Sequence, residues 1–446
     1  MPSEDRLALV PGPEEAEEDP EREDSLPISP PSPSSTVDLP WACAMVYRRP
    51  PLPPGAGRLA ALSALLVALS ALLLVQLALL RDASRAAGVG AYPAAAALAL
   101  VTLAAAAPAA AVALWRGGRP AAPGRLSVAA ALCSVGSLLV LAGRHQNRLG
   151  CNVQDPLVAV VIVFAFMGHL LTASKVRLRS TIAQVVVCLG LFIGVSYQAC
   201  NKYSCHGNDH SGSWRSAGVA AREQHVLWVA VGASGLAMVC SACMVLESHF
   251  HSQSGKGGQS SWWDDVTSTG LMTAASFVTV SLLFWVDLVP GVGESESVSD
   301  LGSGLVRALA ALGDQFPYYR RACLLIGIAC PALTLTAVRL LSAGRPTFQL
   351  ASLVTLGVLV SELWWSVSRI DGAGGWTPHA RLTGEAVMAV VGGLLMIGGL
   401  IAWLSFGEKK PGKDLELTAR DVEMYKLQHG GGVTATKYRW HQPETV

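Results

Sequence analysis

Ten apolar stretches recur along the chain, separated by short polar breaks. They fall at residues 59–80, 92–115, 125–143, 156–174, 181–199, 226–247, 266–289, 322–341, 347–368 and 382–406. A helix needs about 20 apolar residues to cross the hydrocarbon core of a bilayer. In lipid every backbone N–H and C=O must be satisfied inside its own segment, which selects helices over irregular chain. The pattern therefore predicts an all-α fold, a polytopic membrane helix bundle of about ten transmembrane helices. The second and third stretches are rich in Ala, a composition that lets helices approach closely. Pro108 and Pro331 interrupt the second and eighth. Membrane helices tolerate such prolines when neighbours or water satisfy the freed carbonyl.

Polar segments flank the bundle and divide the chain into three parts. Residues 1–57 form an acidic, Pro-rich tail, 58–407 the helix bundle, and 408–446 a second polar tail. The first tail carries PEEAEEDPERED and SLPISPPSPSSTVDLP. Its clustered acids and prolines bury too little apolar surface to offset chain entropy, so disorder is expected. Its Ser-Pro steps suit phosphorylation or are simply solvated. The acidic start does not read as a cleavable signal peptide, which needs a basic start and a short apolar core.

Composition agrees with the pattern. Over 446 residues, 51% are hydrophobic and 15% charged, and the mean hydropathy is +0.42. A soluble chain carries roughly 25% charged residues. A net charge of +1 leaves no footprint for nucleic acid. The partner expected from composition is the lipid bilayer; no cofactor and no resident metal is expected.

Charge placement gives the orientation. Arg48, Arg49 and Arg58, then Arg116, Arg119 and Arg125, then Lys175, Arg177 and Arg179, and finally Lys409, Lys410 and Lys413 share one side. The positive-inside rule makes that side cytoplasmic, with both termini inside. Cys151, Cys200 and Cys205 then fall in outer loops, where disulfides persist. Cys200 and Cys205 suit a small bridge, with Cys151 an alternative partner for either. Cys200, Cys205, His206 and His210 also resemble a zinc spacing, but an oxidising exterior favours the disulfide. The longer outer loops are 200–225 and 290–321, the second holding an amphipathic piece, LVRALAALGDQF. The outer loops hold no glycosylation sequon.

Ionisable residues within a bilayer are costly and mark function by default. Glu362, in VLVSELWWSVS, stands inside the ninth stretch. Asp287 and Glu385 lie at the outer ends of the seventh and tenth. Three acids at similar depth could line a vestibule for a cation or proton; alternatively, Asp287 and Glu385 are interfacial and Glu362 pairs with a neighbouring helix. His169 and Gln184 stand on consecutive helices joined by the basic loop SKVRLRS. They could relay protons, but such residues more often hydrogen-bond across a helix pair. The loop itself could meet anionic headgroups. Cys240 and Cys243 form Cys-x-x-Cys inside an apolar stretch and read as small core residues. His249 and His251 are too isolated for a ligand set.

The C-terminus, Pro-Glu-Thr-Val, ends on a free carboxylate at Val446. A PDZ-type groove captures such an end by strand addition, and Glu444 two residues earlier fits an acidic class of that ligand. The alternative is a frayed end. No HExxH, Gly-x-Ser-x-Gly, P-loop or GxGxxG motif occurs, so no enzyme is expected. Two function classes follow. One is a solute or ion transporter or channel with Glu362 as its intramembrane acid. The other is a non-transporting scaffold, trafficking or signalling protein that works through its tails. A heptahelical receptor fits less well, because no receptor signature is present. Two five-helix repeats of opposite orientation would suit ten helices with both ends inside, although the two halves show no convincing sequence similarity.

Overall fold

The computed structural model describes residues 56–407, apart from 121, 145–148, 150, 173–177, 197–201, 206–207, 212–218, 255–260, 290–292, 294, 314–315 and 371–375. In chain order the helices are α1 (Ala56–Ala86), α2 (Ala91–Trp115), α3 (Pro123–Arg144), α4 (Cys151–Ala159), α5 (Val161–Thr172) and α6 (Leu178–Ser196), then α7 (Val219–Ser254), α8 (Trp262–Leu282), α9 (Val298–Ala310), α10 (Pro317–Ser342), α11 (Thr347–Val367) and α12 (Gly384–Gly407). Two short antiparallel hairpins, β1 (Lys202–Cys205) with β2 (Asn208–Ser211) and β3 (Ser368–Ile370) with β4 (Trp376–Pro378), lie in loops between helices.

Local chemistry sets where the helices start and stop. Pro317 opens α10 where its missing N–H costs nothing. Ser261 and Asp264 close a capping box at the start of α8, each satisfying the other's backbone N–H. Past the ends of α2 and α10, Gly117 (φ +84°) and Gly344 (φ +78°) turn the chain in the left-handed region that glycine enters without steric cost.

Among the described residues, nine helices are long and apolar enough to cross a membrane. The fourth predicted stretch differs: it is built as two pieces, α4 and α5. At the break, Val160 N–H bonds the Leu157 carbonyl three residues back, a tightened turn just after Pro156. The amphipathic piece also differs in register. It starts earlier, at Val298, because the Ser297 hydroxyl accepts the Asp300 N–H and caps the helix there. Its Leu301, Gly304 and Ala308 are buried while Val298 and Val306 are exposed, as suits a helix lying in a membrane interface. Large apolar side chains such as Leu171, Phe192 and Leu394 project outward, which in water would be an unsustainable surface and in lipid is the expected one. Exposed tryptophans mark helix ends, Trp115 and Trp262 on the side predicted to be inner, Trp285 and Trp376 on the outer. The fold is a multi-pass membrane-type helix bundle.

The packing has a hidden order. Match α1 with α7, α2 with α8, α3 with α10, α4 and α5 with α11, and α6 with α12. Under that exchange the α1–α10 contact becomes the α3–α7 contact, α2–α10 becomes α3–α8, α2–α3 becomes α8–α10, and α11–α12 becomes the packing of α4 and α5 on α6. Likewise α1–α11 becomes the contact of α7 with α4 and α5, while α2–α8 and α6–α12 map onto themselves. The contacts of α10 with α7, of α11 with α6 and α7, and of α10 with α11 lack a counterpart of similar extent. Counting α4 with α5 as one crossing beside the nine long helices gives five to each half, an odd number, which would run matched helices in opposite directions. The contact pattern is the one expected of two five-crossing halves of inverted orientation.

Candidate functional site

In two helix pairs glycine meets glycine across the crossing. In α6 against α12, a Cβ on Gly392 would lie 2.4 Å from the Gly190 carbonyl oxygen and 2.7 Å from Gly194. In α3 against α7, a Cβ on Gly136 would lie 2.4 Å from the Gly235 carbonyl oxygen. Small residues at these crossings let backbones meet, the usual source of helix adhesion where lipid supplies no hydrophobic drive.

Between these crossings the helices leave a cavity of about 530 Å³. Its walls come from α1, α2, α3, α7, α8, α10 and α11, with Gln154 and Val158 of α4 and Val161 of α5; α6 and α12 contribute no lining residue. It lies between the two halves, since matched helices face it from both. Leu66, Leu74, Ala95, Phe277, Ile326 and Val354 make much of the wall apolar.

Six of the wall hydroxyls share a habit. The hydroxyls of Ser70, Thr102, Ser134, Thr273, Thr334 and Ser361 each donate to a carbonyl three or four residues back in their own helix. Their protons are spent within the helix, so toward the cavity they offer lone pairs. Arg81 is the one formal charge among the described lining residues. Its Nη1 donates to Gln154 Oε1 at 3.1 Å, and its Nε donates to Asp82 Oδ1 at 2.9 Å. Gln154 Nε2 in turn donates to the Leu149 carbonyl at 2.9 Å. Arg85 Nη1 also approaches Asp82 Oδ1, at 3.8 Å, so two guanidinium groups share one carboxylate.

The other end of the bundle carries the matched contact. Glu247, near the end of α7, accepts the backbone N–H of Thr347, the first residue of α11, at 2.8 Å. As α7 is the counterpart of α1, and α11 of α4 and α5, this tie is the inverted equivalent of Arg81 with Gln154. Beside it, Asp265, 1% exposed, receives Arg339 Nη1 at 2.5 Å and joins α8 to α10. The Arg339 guanidinium also lies over the Trp262 ring, 5.7 Å from its centroid.

The residues singled out from sequence distribute differently. Glu362 is buried on α11, but the cavity takes its neighbours Ser361 and Trp365 rather than Glu362 itself. Asp287 sits in a 3₁₀ turn, Phe284–Leu288, that follows α8, where the Ser295 hydroxyl donates to its Oδ2 at 2.5 Å. Glu385 is buried in the first turn of α12. The three acids thus stand toward one end of the bundle on separate elements, and none of them lines the cavity. His169 packs among aromatic rings, 6.5 Å from Phe348 and 6.3 Å from Trp403 between centroids. Gln184 is fully buried on α6. Both fit a packing role.

Cys240 and Cys243, read as core residues, prove to line the cavity together with Cys133 and Cys330, all as free thiols. Cys200 lies outside the described residues. Cys151 opens α4 and Cys205 ends β1, facing Asn208 across the hairpin. No disulfide forms among the described residues, so the expected bridge is not supported by them. His206 is outside them too, and they hold no metal-binding cluster of three or more His, Cys, Asp or Glu side chains. His249 is buried against Phe250, and His251 is exposed, 3.6 Å from Glu247. Glu444 and Val446, with both tails, lie outside the described residues.

Arg81 and Gln154 were missed in the sequence because each sits just beyond the edge of an apolar stretch, where a polar residue reads as a boundary. A spacing rule would not have found them; the length of α1, which carries Arg81 well inside the helix, does.

No family model matches the chain, and no curated protein does. Among solved structures, one described as "Crystal structure of protein" is 14% identical, covering 79% of this chain and 99% of that one at a TM-score of 0.46. That likeness carries no argument about function.

Proposed function

We propose that the protein is a membrane transporter in which the central cavity is the substrate site and the two inverted halves rock about it. One observation carries this reading: the cavity lies between halves of opposite orientation, with matched polar ties at its opposite ends. Inverted repeats with a site at their interface give alternating access, because each half can adopt the other's conformation. The Arg81–Gln154 tie joins α1 to α4 at the outer end, and the Glu247–Thr347 tie joins α7 to α11 at the inner end. Opening one while keeping the other is the motion such symmetry supports. The hydroxyl-lined, mostly apolar wall suits an organic solute more than a bare ion. Glu362, next to the wall residue Ser361, then acts by setting the packing or charge behind the site.

The test is flux in proteoliposomes with purified full-length protein and a broad panel of ions and organic solutes. The wild type is expected to move at least one organic solute. Ser276→Trp, which fills the cavity wall, should stop that flux, and Glu362→Gln should slow it. Absence of flux for the whole panel, with a folded protein, would remove the reading. Loss of cellular location on deleting residues 408–446, with an inert membrane core, would favour the scaffold class instead.

A further inference from the structure

The polar groups in the wall of the proposed substrate site are gathered at one level, and two of their hydroxyls are uncommitted. We propose that the cavity takes uncharged amphiphiles, an apolar body with an alcohol head, and that Ser137 and Ser276, beside Ser134 and Thr273, hold the head. This rests on the central cavity being a ligand site, and deepens that reading.

The cavity, about 530 Å³, is within the ~300–1,000 Å³ span typical of small-molecule sites. Its mostly apolar wall suits an alkyl or aryl body and makes an unpaired charge costly. Acidic side chains are absent from the described lining, so an ammonium head meets no carboxylate there. Arg81 is already engaged: Asp82 accepts from its Nε at 2.9 Å and its Nη2 at 3.4 Å, and Gln154 accepts from its Nη1 at 3.1 Å. A carboxylate head would have to break those bonds to be paired. An uncharged head avoids both costs, and the wall has a place for one. Ser134 and Ser137 stand one turn apart on α3, Thr273 and Ser276 one turn apart on α8, and all four line the cavity. The Arg119 N–H, just before α3, donates to Asp264 in the first turn of α8, so the two helices start at the same end of the bundle. They pack together, and both pairs lie at matching depth near the middle of their helices. The pairs offer complementary chemistry. Ser134 donates to the Ala130 carbonyl at 2.7 Å and Thr273 to the Thr269 carbonyl at 2.9 Å, so each keeps only lone pairs for a ligand. A hydroxyl inside a helix commonly bonds back in this way. Those of Ser137 and Ser276 bond no described residue, so each still has a proton to give. An alcohol head uses both kinds of group: its O–H donates to a wall lone pair, and its oxygen accepts from Ser137 or Ser276. An ether of the same shape can only accept.

The experiment uses the full-length protein in lipid nanodiscs at neutral pH and three photoreactive probes: decanol, decanoate and decylamine, each bearing the same aliphatic diazirine. Crosslinked residues are located by mass spectrometry. Cavity labelling is scored against labelling of lipid-facing residues in the same sample, which corrects for partition into the bilayer. The alcohol should label the lining segments of α3 and α8 about tenfold more than either charged probe. Ser137→Ala together with Ser276→Ala should cut labelling by the alcohol about fivefold, the worth of one neutral hydrogen bond, and leave the charged probes unchanged. Independently of any variant, unlabelled decanol should compete about fivefold better than its methyl ether, which cannot donate. Equal cavity labelling by the carboxylate or the amine would overturn the uncharged class. No response to the double substitution would overturn the placement of the head, and equal competition by the ether would overturn the alcohol; each of these results leaves the cavity as a ligand site. Labelling confined to lipid-facing residues for all three probes, unchanged by Ser276→Trp, would overturn the cavity reading as well.

Discussion

The pair α6–α12 and the helices around the cavity use the same kinds of residue to opposite ends. Where α6 meets α12, glycines bring backbone to backbone and no space is left. Around the cavity, serines, alanines and leucines leave about 530 Å³ open. Close-packed interfaces resist change, since even one added methylene strains them. Voids lower the cost of rearrangement, since their lining has few contacts to lose. The contrast separates a close-packed frame at α6–α12 from looser packing where the lining helices face the cavity, and it predicts that equal insults will have unequal effects in the two places.

The largest effect is expected at the frame. Gly392→Leu should destabilise the fold by about 3 kcal/mol or prevent its assembly, because its Cβ has no room beside Gly190. Thermal unfolding of the detergent-solubilised protein, followed by size-exclusion fluorescence, measures this. Survival of Gly392→Leu with unchanged stability would break the distinction. Next comes the Asp265–Arg339 ion pair. Arg339→Leu leaves Asp265, 1% exposed, without its cation. Breaking a buried pair costs ~3–5 kcal/mol, but Arg339 is 32% exposed and solvent screens part of it, so about 2 kcal/mol is expected from denaturation midpoints.

Gln154→Ala should cost about 1 kcal/mol, the worth of an ordinary hydrogen bond. Its larger consequence should be on flux, because the outer tie would no longer hold. The smallest stability effect is expected for Ser276→Leu, within about 0.5 kcal/mol, since the added carbons enter open space. It should nevertheless suppress transport. A variant in the wall that is silent in stability and severe in flux, beside one in the frame that is severe in stability, is the pattern that sharpens the comparison.

The bundle was largely legible in the sequence because lipid imposes a simple demand, about 20 apolar residues per crossing. The fourth apolar stretch is helical as expected, but its break was not legible, since the turn at Val160 depends on which carbonyl its N–H selects. Helix α9 was seen only in part, because the cap at Ser297 lies before the periodic residues begin. The site was far less legible. Glu362 drew attention as an acid inside an apolar stretch, yet the cavity passes beside it and takes Ser361. Arg81 looked like the end of a helix that in fact runs on to Ala86. The inverted relation of the halves is carried by which helices pack together. Such pairing constrains backbone positions and not residue identity, so the two halves show it without resembling each other in sequence.

The central claim is that the ties at the two ends open in alternation. Spin labels at Arg85 and Val153 report the outer ends of α1 and α4, and labels at His251 and Arg345 report the inner ends of α7 and α11. Distance distributions by pulsed electron resonance in nanodiscs measure both pairs under the same conditions. The account predicts two distances for each pair, with the long outer population rising as the long inner one falls, and with Gln154→Ala shifting both in opposite senses. A single unchanging distance at each end, or the two ends opening together, would contradict it.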